Sequence, residues 1–147
     1  MPEGGVRTTS EKEARKAPKI VVSFRIMEFQ CSHREITRAL GIQPTTTWSP
    51  GDKVRNTLLV HKENGWSIDI NLVDTADMHE QVERLLREVH PFHQDLVRIC
   101  GDYYAELACI FYLAGNERPE IHFTPQQLRK LADLRAHIDV DLYLLES

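Results

Sequence analysis

Three aspartates are the residues of this sequence whose type and spacing could support metal chemistry. Asp139 and Asp141 are separated by one residue, and Asp69 belongs to an earlier segment of alternating hydrophobicity. On one sheet face they could hold the two cations of a phosphoryl-transfer site, because Mg²⁺ binds through carboxylates together with substrate phosphates. The sequence has neither a Gly-rich phosphate loop nor a basic cluster beside them, and alternating carboxylates are equally well explained as solvated charges. We therefore predict neither a metal ion nor another cofactor.

Histidines and cysteines do not form a motif for metal binding or nucleophilic catalysis. His90 and His93 are three residues apart, but Pro91 lies between them and the other histidines are scattered. The sequence contains neither Cys-x-x-Cys nor His-Glu-x-x-His, two spacings typical of zinc sites. Cys109 lies in a strongly apolar stretch, where a thiol behaves as a small hydrophobic residue. We predict no catalytic residues, and the odd number of cysteines, 3, argues against a disulfide framework.

Aromatic and acidic residues instead predict a binding surface. Trp48 lies in a Thr-rich loop, Gln43–Asp52, and either covers one end of a sheet or borders a pocket or protein groove beside Trp66, together with Ser49 and Asp52. We call this segment the Trp48 loop. The polar parity of the predicted strands displays Ser23, Arg25, Asp69, Asn71, Glu106, Tyr112, Asp139, Asp141 and Tyr143 on one open, acidic face. An antiparallel sheet can equally leave such a face hydrated without a partner. The partner-binding residues that we predict are Trp48, Asp52, Asp69, Tyr112, Asp139, Asp141 and Tyr143.

The strands that must position these residues follow from hydrophobic alternation. Tyr103–Leu113 is apolar on both alternating faces, which predicts an interior strand of a sheet. Asn64-Gly65 predicts a hairpin turn with positive φ between the second and third strands. The predicted strands are Lys19–Glu28, Leu58–His61, Trp66–Val73, Tyr103–Leu113, Glu120–Phe123 and His137–Leu145.

Helices are indicated by N-terminal capping residues followed by apolar stripes. The capping pairs are Ser32 with Glu35, Asp77 with Glu80, and Thr124 with Gln127. The predicted helices run over residues 32–40, 77–100 and 124–134. Pro91 removes a backbone hydrogen bond within the second helix and predicts a kink or break there.

The order of these elements predicts the α+β class. Strand, helix, strand, strand, helix, strand is a ferredoxin-like β-α-β-β-α-β core, and a C-terminal β-α-β extends it. The sheet is expected to be mainly antiparallel, with helices on one face. Residues 1–18 have almost no large apolar side chains and are predicted to be a disordered tail, whereas residues 19–147 are predicted to form a single domain.

Composition excludes several classes of protein. The net charge is −4, and beyond residue 19 there are 13 basic and 19 acidic residues, which argues against a nucleic-acid partner. The longest apolar run is far shorter than the roughly 20 residues of a membrane span. Because the N-terminus lacks the apolar stretch of a secretory signal, we expect a cytoplasmic location with reduced cysteines.

Several short motifs match a known family. They are Leu40-Gly41-Ile42-x-Pro44, Trp48-x-x-Gly51-Asp52, Trp66 at the start of a strand, and the ending Ile138–Tyr143. With the long second helix, this pattern resembles a bacterial family known as domain of unknown function 4279, over about Lys19–Leu145. The resemblance implies a compact bacterial cytosolic module and brings no assigned activity.

The sequence leaves three functional hypotheses. The first is a non-enzymatic protein-binding module, immunity-like or regulatory, that binds a basic partner through the acidic sheet face and the Trp48 loop. The second is a small-ligand-binding protein or an enzyme with a cleft between the Trp48 loop and the sheet. The third is a homodimer that pairs through an edge strand such as Glu120–Phe123.

Overall fold

The computed structural model describes residues 19–54, 57–70 and 77–145, and their order confirms the α+β class. The strands are β1 (Lys19–Met27), β2 (Thr46–Trp48), β3 (Gly65–Ile70), β4 (Tyr104–Ala114) and β5 (His137–Leu145). The helices are α1 (His33–Leu40), α2 (Met78–Val89), α3 (His93–Asp102) and α4 (Pro125–Asp133). The predicted tail, residues 1–18, and Asn71–Val73 of the predicted third strand lie outside the described residues.

The five strands form one sheet in the order β2-β3-β1-β4-β5. The pairs β2/β3, β3/β1 and β1/β4 are antiparallel, and β4/β5 is parallel. A parallel pair requires a crossover connection, which α4 supplies between β4 and β5. Strand β4 therefore lies inside the sheet, as its two apolar faces predicted, and β5 forms one edge.

One face of the sheet holds the hydrophobic core. Val22, Phe24 and Ile26 of β1 are fully buried, and alternate residues of β3 and β4 lie on the same face. Buried side chains of all four helices belong to the same cluster. Burying each large apolar side chain contributes about 1.5–3 kcal/mol, so this cluster fixes which side of each strand faces the helices. The opposite side, which we call the polar face, carries Ser23, Arg25, Ser67, Asp69, Glu106, Asp139, Asp141 and Tyr143.

Local sequence signals set the helix ends as predicted. Ser32 and Thr124 each form a capping box with the residue three positions later, and the Asp77 side chain accepts a hydrogen bond from the backbone of Glu80. A 3-10 turn, His90–Phe92, separates α2 from α3, which confirms the break predicted from Pro91. No helix in the described ranges is both long enough and apolar enough to cross a bilayer.

The predicted hairpin between Leu58–His61 and the Trp66 strand is wrong. Strand β3 pairs with β2 instead, and Gly65 is a strand residue opposite Met27 rather than a turn residue with positive φ. Leu58–His61 folds back on Gly51–Val54: the backbone N–H of His61 donates to the carbonyl of Asp52, and that of Gly51 to the carbonyl of His61, both at 2.8 Å. We call Gly51–Val54 with Thr57–His61 the rim hairpin. Strand β2, the partner that β3 has in the structure, shows no hydrophobic alternation. Its sequence therefore gave no indication of a strand.

The predicted strand Glu120–Phe123 is also wrong. These residues have no regular secondary structure, and Ile121 is 46% exposed. Both sides of β4 are already occupied, by β1 and β5, so no place beside it remains for another strand. The predicted C-terminal β-α-β extension therefore consists of α4 and β5, and the dimer hypothesis that used Glu120–Phe123 loses its edge strand.

Strand β5 has the predicted alternation, but the helices do not cover its apolar side chains as predicted. Its apolar residues lie in register with core residues of β4, for example Cys109 with Val140 and Phe111 with Leu142. The exposed fractions are nevertheless 38% for Ile138, 37% for Val140, 53% for Leu142 and 80% for Leu144. An edge strand lies beside the helical layer rather than beneath it, so alternation predicted the face and not its burial.

Candidate functional site

A cleft of about 750 Å³ lies on the polar face, between the rim hairpin and β5. All five strands contribute residues to its lining, so the cleft runs across the sheet. Five of the seven predicted partner-binding residues line it: Trp48, Asp52, Asp69, Asp141 and Tyr143. Strand parity and the Trp48 loop thus bring together residues that are almost 100 positions apart in the chain.

Trp48 forms one wall, and its position depends on Gly65. The two residues are paired between β2 and β3, and the indole lies directly over Gly65: a Cβ atom there would overlap ring atoms Cε2, Cζ2 and Nε1. Position 65, which lies opposite Trp48 in β3, therefore requires glycine. Trp48 is 9% exposed. The indole borders the cleft although it is largely buried, whereas Trp66, expected beside the groove, is fully buried on the core face of the sheet.

Three polar residues surround Trp48. The His61 ring stacks on the indole with a centroid distance of 4.8 Å and an interplanar angle of 23°. The Arg25 guanidinium lies 5.8 Å from the indole centroid, within the range of a cation–π contact. Burial, followed by the charge of Arg25, lowers the pKa of His61, which favours the neutral form of the ring. His33 Nε2 donates a hydrogen bond to the carbonyl of Trp48 at 2.6 Å.

A tight turn carries Asp52 to the rim of the cleft. Pro50 and Gly51 occupy its central positions, Gly51 has φ 94°, and the backbone N–H of Asp52 donates to the carbonyl of Ser49 at 3.0 Å. These features are those of a type II turn. The Asp52 carboxylate accepts a hydrogen bond from the backbone N–H of Ser49 at 2.8 Å. Part of the binding capacity of Asp52 is therefore used to hold the turn.

Asp69 is fixed on the β3 side of the cleft by hydroxyl groups. Thr46 Oγ1 donates to Asp69 Oδ2 and Ser67 Oγ donates to Asp69 Oδ1, each at 3.0 Å. The backbone N–H of Asp69 donates to Thr45 Oγ1 at 3.0 Å. Hydrogen bonds to both oxygens orient the carboxylate without neutralising it, so Asp69 presents a positioned negative charge.

An ion pair occupies the middle of the polar face. Arg25 of β1 lies opposite Glu106 of β4, with 3.6 Å between Nη1 and Oε2, and Tyr104 OH donates to Glu106 Oε1 at 3.0 Å. Glu106 is only 5% exposed, which contradicts the prediction that it is displayed to solvent. Burial raises the pKa of Glu106, although the Tyr104 hydrogen bond and the Arg25 charge oppose this effect. Burial also raises the pKa of Tyr104 to about 12.

The opposite wall of the cleft is acidic and aromatic. Asp139 and Asp141 lie on the polar side of β5, and Tyr143 stacks on Tyr112 of β4 with a centroid distance of 5.4 Å. Burial raises the pKa of Asp141, and the charge and hydrogen bond of Asp139 raise it further. Asp139 and Tyr112 support this wall as neighbours of residues that line it.

Small, buried side chains lie between Asp69 and Asp139 on the polar face. The residues across the sheet from Asp69 are Ser23, Ala108 and then Asp139, and both Ser23 and Ala108 are 0% exposed. Ser23 was predicted to be displayed, and its burial corrects that expectation. Within the part of the chain that the structure describes, the Ser23 hydroxyl has no hydrogen-bond partner.

The same register rules out one metal site that joins all three aspartates. Asp69 and Asp139 are separated by three strand spacings of about 4.8 Å, which places their backbones about 14 Å apart. A two-metal site needs carboxylates around ions roughly 4 Å apart. Among the described residues, no three side chains of His, Cys, Asp or Glu are grouped as metal ligands. The aspartates therefore form two separate sides of a cleft.

Sequence reasoning placed Arg25 and Glu106 on the polar face without assigning them to the site. Their opposite charges on predicted neighbouring strands were the available signal, but the pairing requires the register of β1 against β4. His61 gave no such signal, because it belongs to the hairpin whose partner was predicted incorrectly.

Comparison with known proteins yields a single finding. A family model described as "Domain of unknown function (DUF4279)" matches residues 18–145 of the chain. Searches of curated proteins and of solved structures found no match.

Proposed function

The chain belongs to the domain of unknown function 4279 family, and we propose that it is a non-enzymatic protein-binding module, bacterial and cytoplasmic, of an immunity-like or regulatory kind. Its partner places a basic segment in the cleft of the polar face. The observation that carries this proposal is the convergence of Trp48, Asp69, Asp141 and Tyr143 on one cleft that crosses the sheet. A cleft that crosses all five strands suits an extended segment of another protein.

The rim of the cleft favours a protein over a small molecule. Leu58, Leu59 and Val60, in the rim hairpin, are 98%, 68% and 50% exposed. Contiguous exposed apolar residues with polar surroundings are typical of protein interaction sites. These three residues would contact a partner that is larger than the cleft itself.

The charges favour a basic segment. Arg25 is already paired with Glu106, whereas Asp69 and Asp141 lie on opposite sides without an ion pair in the described residues. A cationic side chain near Asp141 would also relieve the repulsion between Asp141 and Asp139. Beyond residue 19 the chain has 13 basic and 19 acidic residues, so the body as a whole would steer a basic partner toward it.

The test is affinity purification from the native host, followed by binding measurements with the purified partner. We expect Tyr143→Ala combined with Asp141→Ala to abolish capture with nearly unchanged Tm, because both residues lie on an exposed edge strand. Asp95→Ala, a surface carboxylate on α3 outside the cleft, is the matched control and should leave capture unchanged. Association with the true partner should also slow as salt is raised. Equal capture by the double variant and the wild type would reject the proposal.

A small ligand is the second candidate, and the size of the cleft favours it. A volume of about 750 Å³ falls within the roughly 300–1,000 Å³ of small-molecule pockets. Native mass spectrometry of the purified chain would show a bound metabolite as added mass, and the Tyr143→Ala/Asp141→Ala variant should lose it. A chain that carries no added mass and whose Trp48 emission does not respond to candidate metabolites would argue against this alternative.

We further propose the ferredoxin-like class for the elements from β1 to β4. Its support is the strand order β4-β1-β3-β2 with antiparallel neighbours, with α1 in the first crossover and the broken helix α2/α3 in the second.

A further inference from the structure

Within the described residues, one edge of strand β5 is unpaired. The strand is hydrogen-bonded to β4 along nine residues, and it ends the sheet, so no described strand lies on its other side. Proteins commonly protect such edges with charged side chains, above all Lys, with Pro, with a bulge or with a very short strand. The sequence of β5, His-Ile-Asp-Val-Asp-Leu-Tyr-Leu-Leu, contains neither Lys nor Pro; its two carboxylates, Asp139 and Asp141, lie on the polar side, and its ladder with β4 is continuous. The edge is therefore competent to accept another strand.

The core side of β5 is also incompletely covered. Ile138, Val140, Leu142 and Leu144 continue the core rows of β4 but are 38%, 37%, 53% and 80% exposed. With Tyr143 and Leu145, they expose on the order of 500 Å² on each copy, a large part of the roughly 800 Å² per partner that a standard interface buries. Backbone pairing along the strand would add to this area.

We propose that the occupant of this edge is β5 of a second copy of the chain, paired antiparallel about a two-fold axis at Leu142. The two sheets then form one continuous sheet of ten strands, with both helical layers on the same side. Such an interface is self-complementary, as two-fold symmetry requires.

Charge disfavours the two registers centred on the N-terminal side of Leu142. An axis at Asp141 would place that carboxylate opposite its own copy, and an axis at Val140 would place Asp139 opposite Asp141. Like charges directly opposite each other destabilise a strand pair. An axis at Leu142 instead places Leu142 opposite Leu142, Val140 opposite Leu144, and Asp141 opposite Tyr143. The Tyr143 hydroxyl can then donate a hydrogen bond to the Asp141 carboxylate of the other copy.

Dimerisation would bring the two clefts side by side. Asp141 and Tyr143 form the β5 wall of the cleft, so each copy would add its Tyr143 beside the Asp141 of the other. A partner with two basic segments would then engage both clefts at once, which strengthens binding through effective concentration.

The test is the solution mass of the full chain, measured by analytical ultracentrifugation over a concentration series. We expect a species of twice the 17.0 kDa chain mass. Leu142→Lys should convert it to monomer, because two cations would meet at the axis, and the fold should survive because Leu142 is 53% exposed. Leu59→Lys is the matched control: it replaces a leucine that is 68% exposed in the rim hairpin and should leave the dimer intact. A monomeric wild type, or a dimer that survives Leu142→Lys, would overturn the proposal.

Cysteine cross-linking tests the register separately. Leu142→Cys should form an intermolecular disulfide on mild oxidation, because opposite residues of antiparallel strands have Cβ atoms about 5 Å apart. Val140→Cys lies opposite Leu144 and should not cross-link to itself, nor should the wild type. A dimer in which Val140→Cys cross-links and Leu142→Cys does not would overturn the register. A dimer in which neither cross-links would place the interface elsewhere. Partner capture by the Leu142→Lys monomer distinguishes a failure of the dimer from a failure of the proposed function.

Discussion

Replacing Gly65 by Ala tests the wall of the cleft with a single methyl group. Gly65 lies in β3 and does not have positive φ, so alanine can adopt its backbone conformation without strain. The conflict is with Trp48, whose ring occupies the space that the new Cβ needs. The indole must therefore leave its position over the strand, or the strand pair β2/β3 must separate.

The cost follows from the burial of Trp48. This residue is 9% exposed, and a buried aromatic side chain removes about 150–250 Å² from water. At about 25 cal/mol per Å², complete release of the indole would cost roughly 5 kcal/mol. Because the ring can find partial cover elsewhere, we expect Gly65→Ala to lower the free energy of unfolding by about 2–4 kcal/mol, the range of large core truncations.

Urea unfolding and tryptophan emission measure the two halves of this prediction. Gly65→Ala should lower the unfolding midpoint, and its emission should shift to longer wavelength with stronger acrylamide quenching. A Trp48→Phe variant reports the emission of Trp66 alone, which is fully buried. The matched control is Gly101→Ala in α3, where the nearest atom to a new Cβ is Arg135 Nη1 at 3.6 Å and helix propensity predicts a gain of up to about 1 kcal/mol. If Gly65→Ala is as stable as the wild type and Trp48 emission does not change, the indole does not lie over Gly65.

The remaining predictions concern titration. Burial and Asp139 raise the pKa of Asp141 above its unfolded value, so the charged form destabilises the fold above that pKa and the penalty disappears as pH falls below the unfolded value. Asp141→Asn should therefore increase the free energy of unfolding at pH 7 by less than about 1 kcal/mol and should give no increase at acidic pH. Urea unfolding at pH 7 and at acidic pH measures both values. A lower free energy of unfolding at pH 7 would contradict the expected sign. Burial raises the pKa of Cys100 and of Cys109 to about 12, whereas Cys31 is partly exposed, so Ellman's reagent at pH 8 should titrate one thiol quickly in the native chain and all three in urea. Fast reaction of all three thiols in the native chain would show that Cys100 in α3 and Cys109 in β4 are not enclosed by the fold.

Local patterns predicted most of the elements that build the core. The alternation of β1 and β4, the capping boxes at Ser32 and Thr124 and the break at Pro91 depend on residues that are close in sequence. The two strand errors have a different origin. Leu58–His61 and Glu120–Phe123 are also short segments with apolar side chains, but a strand needs a free partner in the sheet, and the places beside β3 and β4 are taken by other strands.

The sequence predicted the candidate site only in part. Strand parity placed Asp69, Asp141 and Tyr143 on one face, and the structure places all three around one cleft. The parity of side chains does not reveal how far apart two strands lie. The separation of Asp69 from Asp139 and the pairing of Arg25 with Glu106 both follow from strand order and register.

The sequence by itself determined which side chains face the core and which face the cleft, because every second residue of a strand lies on the same side. It also determined where the helices begin, because capping depends on residues three positions apart. Only the tertiary structure decided that Trp48 lies over Gly65 and that β5 ends the sheet with exposed apolar residues. These features arise from contacts between segments that are distant in the chain, and the free energy of such contacts depends on which neighbours each strand finds.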